Sequence, residues 1–362
     1  MSWLLAFLGF ALLIILHELG HFAAAKAVGM RVERFSLFFP PLLGRIRRGE
    51  TEYAIGSIPL GGYVKITGMN PAEEIPPEVA HRAYFRQPVW KRIVVIGAGP
   101  AVNIVLALVL LTAYLLIWGT AVPSATNQVE SLAKGGAAAS VIQAGDRIVA
   151  IDGKRGDPAV LKRQVATHTC VGTPVDGCRA TTPARVTVVR GGHERTFSIT
   201  PVYNAAAKRP LLGFSYRVDR NFEPVGGLGD AVTTSLDQMW FLTHTTVETI
   251  AGIFQSEKRK EISGVVGSYE ATRQAITLST DRAVFLLAVI SLSLGIINLF
   301  PFLPLDGGHI FWAVAEKVRG KAIPFSVMER AGFVGFALVL ALFVVGLTND
   351  IGRLTGDGFQ VR

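Results

Sequence analysis

Four apolar stretches constrain this chain more than any other feature. A helix needs about 20 apolar residues to cross the hydrocarbon core of a bilayer. The stretches run from about Trp3 to Val28, Ile93 to Ile117, Ala283 to Leu305 and Ala331 to Leu347. Lipid offers no partners to unpaired backbone groups, so segments of this kind cross as helices. The first is not a cleaved signal peptide, because it lacks a basic start and carries His17, Glu18 and His21 deep within it. Composition fits: half of the residues are hydrophobic and only 17% are charged, against about 25% in soluble domains. The expected fold is a polytopic α-helical membrane protein of about four transmembrane helices with a soluble insert.

The net charge of +9 raises the question of nucleic acid. No basic helix interleaves with aromatic residues, and many cations flank the apolar runs, so membrane flanks are the better reading. Eleven cations, from Lys26 to Arg92, separate the first two spans, and Lys317, Arg319, Lys321 and Arg330 separate the last two. The positive-inside tendency makes both loops cytoplasmic. Both termini and the long region between spans two and three are then extracytoplasmic.

That outer region reads as compound. From about Gln128 to Val202 it is β-rich: Gly145-Asp146-Arg147-Ile148 leads to Ile151-Asp152-Gly153. Strands at Arg185–Val189 and Thr196–Ile199 meet at a Gly191-Gly192 turn. Cys170 and Cys178, the only cysteines, share one polar stretch here. They read either as a disulfide, which fits the oxidising side of a membrane, or as two unpaired thiols. Val232, Leu236, Met239, Trp240, Val247, Ile250 and Phe254 then recur at helical spacing. The segment is too polar to span. It fits a helix on the membrane surface or against the spans, or one packed on the β-domain. The expected division is 1–119, 120–205, 206–282 and 283–362.

The chemistry centres on His17-Glu18-Leu19-Gly20-His21. Residues four apart share a helix face, so both imidazoles can meet one ion, with Glu18 placed as general base to a metal-bound water. Zinc acidifies such a water and polarises a scissile carbonyl. A catalytic zinc takes three protein ligands and keeps an open position. Asp306, at the inner end of the third span, matches the histidines in depth and is the candidate third ligand; a helix cap is the alternative. His309 is given a supporting or structural role, since a fourth ligand would close the site. Asn298, before Pro301 and Pro304, can donate to a substrate carbonyl or developing oxyanion, or bond to a neighbouring helix. The strand-like stretch Thr51–Lys65 can offer an edge to an extended substrate, or be an ordinary hairpin.

Taken together these residues resemble the site-2 protease family of intramembrane zinc metalloproteases, in its bacterial regulator-of-sigma-E protease branch. The resemblance runs through His-Glu-Leu-Gly-His at 17–21, Ile-Pro-Leu-Gly-Gly-Tyr-Val-Lys at 58–65 and Gly-Ala-Gly-Pro-Ala-Val-Asn at 97–103. It continues through Gly-Ile-Ile-Asn-Leu-Phe-Pro at 295–301 and Leu-Asp-Gly-Gly-His at 305–309. It implies His17, His21 and Asp306 as Zn2+ ligands, Glu18 as catalytic base and Asn298 in the active-site cavity. A membrane-associated β-element would receive the substrate strand, here through Tyr53, Ala54, Ile55, Gly56, Ser57, Gly61 and Gly62. It further implies an outer PDZ-like domain that gates substrates, and a bacterial cell membrane location with the active site toward the cytoplasm. Expected partners are the lipid bilayer, single-span substrates such as anti-sigma factors, and an upstream site-1 protease, with no direct nucleic acid. The chain departs from the pattern in having Phe38-Phe39-Pro40 where a Gly-Phe-Gly turn is common. It has room for one PDZ-like unit, with an apparent insertion from about Arg155 to Pro183. Two other readings compete: a non-catalytic PDZ-bearing scaffold, which an intact Glu18 disfavours, and a metal transporter, whose paired inverted halves are not seen.

Overall fold

The computed structural model describes residues 2–70, 73–133, 135–205, 207–252, 255 and 262–355. Phe254 lies outside them. The chain forms two compact units, Met1–Trp118 with Val225–Arg362, and Gly119–Pro224.

In the first unit the helices are α1 (Ser2–Ala27), α2 (Val89–Ile117), α4 (Leu228–Ala251), α5 (Val265–Leu278), α6 (Thr280–Asn298), α7 (Asp306–Arg319) and α8 (Phe325–Thr355). Helices α1, α2, α6 and most of α8 are long and apolar enough to cross a membrane. α2 is the hub and packs against α1, α4, α6 and α7. Met239 of α4 joins Ala107 and Leu111 of α2 and Ala288 and Leu292 of α6 in one buried cluster. The amphipathic segment therefore lies against the spans. Asp350 of α8 is fully buried and accepts from the Gly264 and Gly267 backbone N–H groups at the start of α5, answering donors that a helix start leaves unpaired.

The third apolar stretch is not one helix to its end. α6 stops at Asn298, residues 299–305 cross without helix, and α7 begins at Asp306. Pro301 and Pro304 lack the N–H groups a helix would need there. Asp306 thus opens a new helix, rather than closing the third span.

β1 (Val32–Arg48) and β2 (Thr51–Ile66) fold back on each other in four antiparallel rows. Phe35 pairs with both Val64 and Tyr53, and Tyr53 pairs with both Phe35 and Ile46. The row order is therefore 62–66, 32–37, 52–55, 44–48. At the turn between the strands, Glu50 accepts from Arg82 and Lys26. The Arg82 fork, then Lys26, hold the Glu50 carboxyl down at about 2. A depressed carboxyl contributes its share of stability above its unfolded value, about 4.5, and loses it as pH falls through 2. The tie between sheet, α1 and the 80–86 segment is thus intact at neutral pH.

The second unit is a β-sheet of β3 (Thr120–Leu132), β4 (Arg147–Ile151), β6 (Ala184–Arg190), β7 (His193–Ile199) and β10 (Phe214–Glu223), in the order β10-β3-β4-β6-β7. β5 (Lys154–Arg155) pairs with β4. β8 (Val202–Asn204) and β9 (Arg209–Leu211) form a separate hairpin. Ile148, Ile151, Val186 and Val188 pack with Leu161 of α3 (Pro158–Val165) in its core. The unit reaches past 205 because β10 returns to pair with β3. Cys170 and Cys178 form a disulfide in it.

Arg92 ties α2 to α7. Its guanidinium is 3% exposed, forks onto Glu316 at 2.7 and 2.9 Å, and lies over the Tyr84 and Phe85 rings. Removing one partner of a buried pair costs about 3–5 kcal/mol, whereas replacing both with apolar groups can be neutral. Glu316→Ala should therefore lower the thermal midpoint in detergent sharply, and Arg92→Met with Glu316→Leu should restore most of it. Equal melting of the single and double variants would show that the pair does not anchor α7.

Candidate active site

Three donor atoms from two helices converge. Leu13, His17 and Gly20 lie on the buried face of α1, and His21 follows one turn after His17. Their Nε2 atoms are 3.2 Å apart, with the rings nearly perpendicular. Asp306, at the first turn of α7, brings Oδ2 to 3.3 Å from each. All three side chains are largely buried. The Asp306 Oδ2 atom has no hydrogen-bond partner, and a buried carboxylate oxygen left so is costly.

His21 explains what the oxygen lacks. Its Nδ1 lies 2.9 Å from the Val95 carbonyl oxygen, which can only accept, so Nδ1 carries the proton. In the neutral ring Nε2 is then a lone pair. A lone pair facing an unpartnered carboxylate oxygen repels it unless a cation stands between. An ion held tetrahedrally at about 2.0–2.1 Å by imidazole nitrogens and a carboxylate oxygen spaces those atoms by about 3.3 Å. The observed spacings of 3.2, 3.3 and 3.3 Å fit it, and these residues form the one candidate metal group among the described residues.

Glycines make the convergence possible. A Cβ on Gly20 would lie 2.6 Å from the Ala98 carbonyl oxygen, and one on Gly99 would overlap His21 Nε2. The α1–α2 contact therefore closes to backbone distance at the His21 ring. Gly307 would likewise meet the Leu299 carbonyl, so the start of α7 seats directly on the proline-broken stretch.

The other expected residues divide. Glu18 stands on α1 between His17 and His21 in the sequence. A Cβ on Gly62 would lie 2.8 Å from Glu18 Cγ, so the 62–66 row passes α1 at Glu18. Among the described residues that row pairs with 32–37 alone, and no strand pairs with its other flank. Tyr53, Ala54 and Ile55 are different: each is paired on both sides, and their row has no edge to give. Gly56 pairs with Leu42 and packs against the Phe38–Phe39 backbone, with Ser57 next to it. Gly61 lies against the Phe39 ring. Sequence alternation marks strands but not which row is central. Asn298 is the last residue of α6, and its Nδ2 donates to the Leu294 carbonyl at 3.0 Å; an amide has a second N–H to offer. His309 follows one turn after Asp306 and is not one of the three convergent ligands. A residue with no expected role does reach the site: Asn103 contacts His17.

Two measurements check this geometry. Gly99→Ala should cut the metal content of purified protein several-fold, while Gly97→Ala, whose Cβ would meet only Ile310 Cδ1 at 3.9 Å, should leave it unchanged. Asp306→Ala should also lower metal content sharply. Full metal occupancy in Gly99→Ala or Asp306→Ala, measured by elemental analysis, would separate those residues from the ion.

Known proteins of this pattern exist. The family description "Peptidase family M50" matches residues 5–342. Zinc metalloprotease Rip1 of Mycolicibacterium smegmatis is 34% identical over 92% of this chain and 90% of its own. Rip1 of Mycobacterium tuberculosis is 31% identical over 93% and 94%, and a putative zinc metalloprotease of Rhizobium meliloti is 30% identical over 95% of each. A match that takes in α1, the β1–β2 sheet, α2 and α7 alike leaves one conclusion: the chain belongs to peptidase family M50, the site-2 proteases.

Proposed function

We propose that this zinc metalloprotease cuts single-span membrane proteins within or near the bilayer. The carrying observation is the meeting of two imidazoles, on a helix apolar enough to span, with an unpartnered carboxylate oxygen from the helix that follows another such span. Ionisable groups there are expensive and need a functional reason. His17, His21 and Asp306 hold the zinc. When bound, zinc acidifies a water and polarises the scissile carbonyl.

The remaining steps belong to the protein. The Glu18 carboxylate takes a proton from the attacking water and passes it to the leaving nitrogen. The second N–H of Asn298 donates to the substrate carbonyl. A peptide bond within a helix is shielded, so the substrate must be drawn out as a strand. The open flank of the 62–66 row, with Gly61 and Gly62 at its start, supplies backbone partners for that strand beside Glu18.

In this reading the cation-rich loops face the cytoplasm and both termini face outward. The Gly119–Pro224 unit is a PDZ-like domain on the outer side that restricts which substrates reach the site. Its disulfide fits an oxidising compartment. Substrates are of the anti-sigma-factor type, already shortened by a site-1 protease, and their cut releases a cytoplasmic fragment.

The test uses the full chain with a co-expressed single-span substrate. Glu18→Gln should lower cleavage by at least about 100-fold, in the range of lost general-base catalysis, while zinc content stays at the wild-type level. Cleavage at the wild-type rate would remove Glu18 from the chemistry. Zinc bound by wild type without any cleavage would favour the scaffold or transporter.

A further inference from the structure

His17 lacks the tautomer lock that His21 has. His21 Nδ1 meets a carbonyl oxygen, which forces the proton onto Nδ1 and frees Nε2. His17 Nδ1 instead lies 3.1 Å from Asn103 Nδ2. An amide N–H can only donate, so this contact needs a lone pair on Nδ1 and places the proton on Nε2, the atom that faces Asp306 Oδ2 and His21. A protonated Nε2 cannot bind a metal.

Asn103 also carries the other half of the problem. It is fully buried, and its Oδ1 has no hydrogen-bond partner. Its backbone is fixed: the carbonyl accepts from Ser291 Oγ at 2.9 Å, and Gly295 packs at the Asn103 Cβ. What stays free is rotation of the terminal amide, whose nitrogen and oxygen ends have the same shape. Turning it by about 180° brings Oδ1 to Nδ1, where it accepts an N–H. One rotation thus partners the orphaned oxygen and moves the His17 proton to Nδ1, leaving Nε2 as a lone pair.

We propose that Asn103 is the positioning residue that sets His17 for metal, its Oδ1 accepting from Nδ1–H as the Val95 carbonyl does for His21. This rests on His17 as a zinc ligand. It goes further by assigning a role to the last residue of the Gly97–Asn103 stretch, on a different span from any ligand. The backbone supplies the acceptor for one histidine, whereas a side chain from α2 supplies it for the other, so the second can be removed by mutation.

The test is the zinc affinity of apo full-length protein in detergent, by chelator competition, with the Co2+ spectrum as a second readout. Asn103→Leu keeps the shape and loses the acceptor; it should bind zinc about 10–100-fold more weakly, the usual cost of a lost ligand support. Asn103→Asp keeps an oxygen acceptor and should bind as tightly as wild type, with an unchanged Co2+ spectrum. Thermal melts of the apo proteins separate metal effects from folding. Wild-type affinity in a folded Asn103→Leu, or equal losses in the Leu and Asp variants, would overturn the proposal. Failure of the wild type itself to bind zinc would instead overturn the assignment of the ligands.

Discussion

The convergence of His17 Nε2, His21 Nε2 and the unpartnered Asp306 Oδ2 is the constraint on which the rest of the first unit depends. Left without a cation, the carboxylate oxygen is buried with no donor, a penalty of about 1–3 kcal/mol or more for a charged group. Ionisable side chains on or beside a helix apolar enough to cross a membrane carry a further cost. Such a cluster persists only if the surrounding helices hold it in place. α2 does most of that holding. It brings Gly99 against His21, the Val95 carbonyl to His21 Nδ1, Asn103 to His17 and Arg92 to Glu316 of α7. It contributes no ligand, yet it positions helices that contribute all three.

The same logic explains the break at residues 299–305. A continuous helix would carry the residues after Asn298 straight on, with their backbone N–H groups used internally. The prolines end it, and Gly307 and Gly308 let the next helix start against the carbonyls and amides of the broken stretch. Asp306 then projects from a helix start, where a carboxylate is favoured by the local dipole. The helix is fixed further along by Glu316, nearly three turns on. The two anchors define the axis of α7, and hence the reach of Asp306.

Much of this was legible in the sequence, and the part that was not has a physical reason. Span lengths and the 17–21 spacing follow from helical periodicity, which one sequence displays directly. The prolines announced a break but not its consequence, that Asp306 belongs to α7. Strand alternation identified 51–65 as β but could not distinguish a row paired twice, such as Tyr53–Ile55, from the outer row at 62–66. Pairing order depends on contacts between residues far apart in the chain. β10 was missed as part of the β-unit for the same reason: its partner β3 is about 90 residues away. Asn103 ends the 97–103 stretch that carries part of the resemblance, yet the sequence assigns it no role, because a buried asparagine on an apolar helix serves equally as a helix–helix contact.

The sheet's place beside α1 settles what its glycines are for. At Gly62 a side chain would collide with Glu18 Cγ and the Ser36 carbonyl. At Gly62 the row can pass Glu18 only as bare backbone. Bare backbone is also what an extended substrate must find, since strand addition draws on main-chain N–H and C=O groups and is indifferent to most side chains. One sequence requirement therefore serves two ends. The absence of a Cβ lets the row approach α1 at Glu18, and on the proposed reading that approach serves the strand addition. On the proposed reading the edge itself adds little selectivity, which is left to the Gly119–Pro224 unit and to the ease with which a substrate span leaves its helix.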